Sequence, residues 1–235
     1  MLQIIEPKYF MLNCKFIGTG LSYEDYLLEI LNWSGFFRNK SQNHSEYKAP
    51  KSQDKGEADA YSSEYQIDFK LLVDEEVMCA LSKNRPTVNK EHIKKGIIIV
   101  NDNPNPSPIP SKNILADIMS ITLDEIKNNS FSSTTAEHFV KNLEKEKNLF
   151  LYYPYEYASD TAYPVNAFAN MLTKVFSIPL SYRKQKYPDK DTFVCIKVNE
   201  YFLIFEWSDN GFVYRDSVNE LLCPAYRDYK LYSFF

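Results

Sequence analysis

Between Gly56 and Val73 the chain carries four charged residues whose spacing could do chemistry: Glu57, Asp59, Asp68 and Lys70. Taking Ser63-Glu64 as a two-residue turn pairs Ser62 with Tyr65, Tyr61 with Gln66, Asp59 with Asp68 and Glu57 with Lys70. Side chains alternate along strands, so those four share one face, while Ala58, Ala60, Ile67, Phe69 and Leu71 form an apolar face that reads as core. Directly opposed aspartates have Cβ atoms about 5 Å apart and repel unless a cation sits between them. Leu71-Leu72-Val73 loses the alternation, so this strand is expected to run into an interior covered on both sides, where uncompensated charge is costly. Three acids and one lysine leave a negative surplus that calls for Mg²⁺ or Mn²⁺, ions that take carboxylate oxygens. The blander alternative is a solvated hairpin face with a Glu57–Lys70 cross-strand pair worth roughly 0.2–1 kcal/mol.

An acid, a short gap and then Asp-x-Lys on the next strand resembles the PD-(D/E)XK (restriction-endonuclease-like) nuclease superfamily, with Asp59 as the acid and Asp68-Phe69-Lys70 as the second element. Tyr23-Glu24, Leu27, Leu31 and Gly35 resemble the helix that carries a further glutamate in that superfamily. The likeness spans about residues 20–101, with Ala58 standing where the superfamily has proline and with the first core strand falling within 36–55. It implies a core of helix, three strands, helix and strand, matched by residues 22–34, the hairpin 57–73, a helix after Asp74 and a strand at 96–101. It further implies a Mg²⁺-dependent phosphodiesterase. Asp59, Asp68 and the Phe69 carbonyl would hold the ion, and Glu24 a second ion or its water. Lys70 would orient or deprotonate the attacking water, and Glu57 would tune Lys70 or join the metal shell.

The elements that must position these residues are legible in part. Ser22 is a good N-cap, and Tyr23, Tyr26, Leu27, Ile30 and Leu31 recur at helical spacing. Residues 1–17 read as one or two strands and 38–56 as a basic loop. The spacing predicts helices at 111–128, at 134–147 after Ser133 or Thr134, and at 162–176 with Pro164 in the first turn. Leu149–Tyr153, Thr192–Val198, Tyr201–Trp207 and Phe212–Arg215 read as strands, the last three as an antiparallel meander turned at Asn199-Glu200 and Asp209-Asn210-Gly211. The fold class expected is α/β (α+β): a mixed sheet flanked by helices, with a C-terminal α+β part ending in the meander. The four prolines in 101–110 mark a boundary between a nuclease-like core, 1–101, and the part 102–235, which has the option of packing on the same sheet.

With 235 residues, 44% hydrophobic and 25% charged, the chain can bury a proper core, and disorder and collagen are excluded. No apolar run reaches the roughly 18 residues of a membrane helix, and Glu6, Pro7 and Lys8 interrupt the start, so a cytoplasmic protein with no membrane partner is expected. Cys14, Cys79, Cys195 and Cys223 lie far apart, and His44, His92 and His138 share no ligand spacing. The net charge of −4 hides two basic segments, 38–55 and 83–95, flanking the hairpin. Arg38, Lys40, Lys48, Lys51, Lys55, Lys83 and Arg85 are expected to hold a nucleic-acid backbone, DNA ahead of RNA. Residues 102–235 show no chemistry and are expected to give partner contacts, specificity or dimerisation. Two alternatives stay open: a catalytically inactive nuclease-like module that binds nucleic acid or protein, and an interaction or inhibitor protein working through its aromatic meander.

Overall fold

In the computed structural model the described residues are 3–5, 23–41, 44–50, 56–72, 114–159 and 165–226. Their strands join one mixed sheet: β1 (Gln3–Ile5), β2 (Ala60–Tyr61), β3 (Gln66–Leu71), β4 (Asn148–Ala158), β5 (Thr192–Val198), β6 (Tyr201–Ser208) and β7 (Gly211–Asn219). The order is β2-β3-β4-β5-β6-β7, with β1 paired to β4 off this path. The β3–β4 and β4–β5 pairs are parallel and the others antiparallel. The α+β class and mixed sheet expected from the sequence are what the chain adopts, and strands from both sides of the proline-rich stretch share the sheet.

The hairpin has the register its alternation dictates, Ala60 opposite Ile67 and Tyr61 opposite Gln66, with Ser62 N–H donating to Tyr65 O at 2.8 Å. Beyond β2, Lys48 bridges Tyr61 through 2.8 and 3.0 Å backbone bonds, inside the interval 36–55 where the resemblance calls for its first core strand. The parallel neighbour of β3 is β4. Residues 96–101, the helix after Asp74, Ser22, Pro164, Cys14, Cys79 and His92 lie outside the described residues.

Strict alternation sorts the strand side chains into two cores. On one face Ile67, Phe69, Phe150, Tyr152, Phe193 and Phe202 meet α1 (Tyr23–Trp33) and α2 (Gly35–Lys40). On the other, Leu149, Leu151, Val194, Ile196 and Phe205 meet the helical layer. That layer holds α3 (Ile114–Met119), α4 (Leu123–Asn128), α5 (Thr134–Leu143) and α6 (Val165–Lys186).

Several element bounds differ from expectation for local reasons. The expected loop at 38–56 begins inside α2, because Ser34 caps that helix by accepting from Phe37 N–H and Asp216 Oδ2 accepts from Phe36 N–H at 3.1 Å. The helix expected over 111–128 is split: Thr122 and Glu125 form a reciprocal capping box that starts α4 afresh. α5 stops at Leu143 rather than 147. α6 continues past 176 to Lys186 with Pro179 inside it; Pro179 lacks one N–H, but it lies on the buried side of the helix with Val175, Phe176 and Leu180. β4 runs on past Tyr153, its pairing with β5 shifting register before Glu156. Gly211, at φ 138°, opens β7 where an added Cβ would sit 2.7 Å from Thr173 Oγ1.

Candidate functional site

The charged residues of the hairpin meet at the point where β2 ends early. Continued one step, the ladder would have Phe69 N–H donate to the carbonyl of Ala58; instead Asp59 Oδ2 accepts that bond at 2.7 Å. The Asp59 side chain thus replaces a strand residue at the sheet edge and fixes its carboxylate against β3. N–H and C=O of one strand residue point the same way, so the Phe69 carbonyl also faces the Asp59 side.

Lys70 Nζ lies 3.7 Å from Asp59 Oδ2, both side chains 24% exposed. Burial raises the Asp59 carboxyl above its ordinary range; the Lys70 ammonium and the Phe69 N–H pull it down, Asp68 pushes it up again, and Lys147 lowers it. Asp68 is 4% exposed and is held by Lys147, whose Nζ lies 3.2 Å from Asp68 Oδ1 and donates at 3.2 Å to the Glu57 carbonyl. Glu57 itself is exposed and meets the cluster through that carbonyl. Glu24, in the first turn of α1, lies close enough to feel Asp59 and Lys70: burial and the Asp59 charge raise its carboxyl, while a hydrogen bond from Tyr23 and the Lys70 charge lower it. Burial and the two neighbouring acids push the Tyr23 hydroxyl well above its usual range, so it remains a neutral donor to Glu24.

Of the residues singled out from sequence, Asp59, Asp68, Phe69, Lys70 and Glu24 therefore gather in one region. Among the described residues no group of three His, Cys, Asp or Glu side chains has the geometry of a metal centre. The two aspartates supply hard oxygen donors, each beside an ammonium. Mg²⁺ asks for one or two carboxylates and completes its shell with waters and substrate phosphate oxygens, so this donor set suits it.

The basic residues divide. Arg38 and Lys48 are exposed, while Lys51, Lys55, Lys83 and Arg85 lie outside the described residues. Lys40 turns inward: its Nζ is 2.7 Å from Asp191 Oδ2 and 3.4 Å from Glu206 Oε1, with the rings of Phe36, Tyr65 and Phe193 around it. It ties α2 to the sheet instead of facing a phosphate. Phe150, Tyr152, Tyr153 and Tyr157 are buried packing residues. Cys195 and Cys223 are buried thiols, and His44 and His138 are exposed.

Sequence reasoning missed Lys147 and Arg183. Lys147 closes a run of alternating charge, Lys141 to Lys147, that reads as a solvated helix end. Arg183, on α6 and 2% exposed, donates to the carbonyls of Leu143, Lys145 and Lys147 and to Thr192 Oγ1. Burial lowers its guanidinium to about 10, and the carbonyls it binds are those of the turn that carries Lys147 into β4. Comparison with known proteins gave no match to a family model, to a curated protein or to a solved structure. Among the described residues no helix is long and apolar enough to cross a membrane.

Proposed function

We propose that the protein is a divalent-metal-dependent nuclease hydrolysing phosphodiester bonds, with DNA ahead of RNA as substrate. The observation that carries this reading is the convergence of Asp59, buried Asp68 and Lys70 at the broken end of one hairpin, within electrostatic reach of Glu24. Burial disfavours the ionised form of the Asp59 and Glu24 carboxyls, and perturbed acids gathered beside a lysine are candidates for a functional site. Asp59, Asp68 and the Phe69 carbonyl would hold Mg²⁺ or Mn²⁺. When bound, that ion supplies Lewis-acid polarisation of the phosphate and makes water acidic enough to attack at neutral pH.

The chain's own groups account for the remainder. Lys70 Nζ, a compact three-proton donor, orients the attacking water and stabilises the charge that develops on the phosphate oxygens. Glu24, its carboxyl raised by burial, holds that water through its Oε atoms, and Tyr23 fixes the carboxylate's direction. Glu57, exposed at the rim, contributes its backbone carbonyl, which holds Lys147. Arg38 and Lys48 give exposed cations to the nucleic-acid backbone, which makes binding salt-dependent.

Incubation of supercoiled plasmid with the protein and Mg²⁺ or Mn²⁺ tests this. Nicking by the wild type that disappears in Asp68→Asn and Lys70→Ala supports the enzyme. Gel retardation without cutting points to the inactive binding module. Neither effect points to a protein-interaction role.

A further inference from the structure

We propose, resting on the nuclease reading above, that Lys147 is a displaceable counter-ion of this centre. Its ammonium holds Asp68 while no divalent cation is bound and passes to a nucleic-acid phosphate once the cation takes that carboxylate. Asp68 is 4% exposed, too deep to carry its charge uncompensated, and Lys147 is the ammonium within ion-pair distance, 3.2 Å from Oδ1. A divalent cation seeking Asp68 therefore competes for an oxygen that is already engaged.

The backbone at Lys147 is anchored separately from its ammonium. Arg183 pins the turn through the carbonyls of Leu143, Lys145 and Lys147. The Lys147 side chain, 30% exposed, is held by Asp68 and by the Glu57 carbonyl, at the rim of the site. Its flexible four-carbon stem lets the ammonium reach outward to solvent while the Arg183 contacts keep the backbone in place.

Charge balance favours the exchange. Glu24, Asp59 and Asp68 against Lys70 and Lys147 leave one net negative charge, so the ion-free cluster is nearly neutral. A divalent cation reverses the sign, and one phosphodiester restores neutrality. Cation and nucleic acid are thus expected to bind cooperatively, with Lys147 as the group that moves from one partner to the other.

Calorimetric titration of Mn²⁺ into wild type, Lys147→Met and Lys147→Arg tests the exchange without reading activity. Lys147→Met should bind Mn²⁺ roughly tenfold more tightly in the absence of DNA, the equivalent of one charge-assisted hydrogen bond, while Lys147→Arg stays near wild type. In a Lys70→Ala background, which suppresses cleavage, adding Lys147→Met should weaken duplex binding in Mn²⁺ and make the slope of log K against log salt shallower by about one. Wild type that binds Mn²⁺ with an affinity Lys147→Met leaves unchanged or weakens overturns the counter-ion role and leaves the nuclease reading standing. Failure of both proteins to take up Mn²⁺, with plasmid left uncut, overturns both.

Discussion

Asp59 and Lys70 are coupled through 3.7 Å, and the coupling fixes how the site answers to pH. Burial raises the Asp59 and Glu24 carboxyls, and Lys70 lowers both. In the proposed function metal uptake would need them ionised, which would place its acid limb above the ordinary carboxylate range. Lys70→Ala should move that limb to higher pH, read as Mn²⁺ affinity against pH, and should cut the cleavage rate by about 10²–10³-fold. Stability runs the opposite way. A carboxyl raised in the folded state binds its proton more tightly folded than unfolded, so it costs stability as pH rises from its unfolded value through its folded one. Asp59→Asn removes that cost, and its thermal midpoint should exceed that of wild type at pH 7, with the difference closing toward pH 3. Equal midpoints across that range would contradict the burial argument.

At the scale of elements, what could be read from sequence is what short-range physics decides. The Ala60–Ile67 and Tyr61–Gln66 register follows from one turn and a period of two, and the structure keeps it; the expected Asp59–Asp68 pair falls one step past the end of β2, where the Asp59 carboxylate turns to the Phe69 N–H instead. The buried face of α1, Tyr26, Leu27, Ile30 and Leu31, follows from a period of 3.6. The early end of β2 was not legible, because it depends on the Asp59 side chain capturing the Phe69 N–H. The extension of α6 past Pro179 was hidden because a proline that ends most helices is tolerated where its ring packs in a core. Lys40 looked like a loop cation; its acids, Asp191 and Glu206, are more than 150 residues away, so no local pattern marks the pairing. The β6–β7 turn offers a check on such element-level contacts. Gly211→Ala would place a methyl 2.7 Å from Thr173 at a φ of 138° and should destabilise the protein by about 1–3 kcal/mol in a urea titration.

Across the whole molecule, the parallel β3–β4 pair joins the hairpin to the C-terminal strands, and Arg183 reinforces the junction from the helical layer. Non-local pairing of this kind leaves no signature in periodicity, so which C-terminal strand pairs with the hairpin could not be read from sequence. A shared sheet with a core on each face should unfold as a unit. Fluorescence of Trp33 on α1 and Trp207 on β6, followed in single-tryptophan variants, should give one coincident denaturation midpoint, and separated midpoints would show two independently folding parts. The same joint sheet brings Lys147, in the turn that leads into β4, to Asp68 on β3 and so completes the charged cluster. In the proposed function these carboxylates hold a divalent cation beside Lys70. The most direct measurement is the free-Mn²⁺ electron paramagnetic resonance signal on addition of protein. It should fall with wild type and remain with the Asp59→Asn/Asp68→Asn double variant; a signal quenched equally by both proteins, or by neither, would contradict the claim.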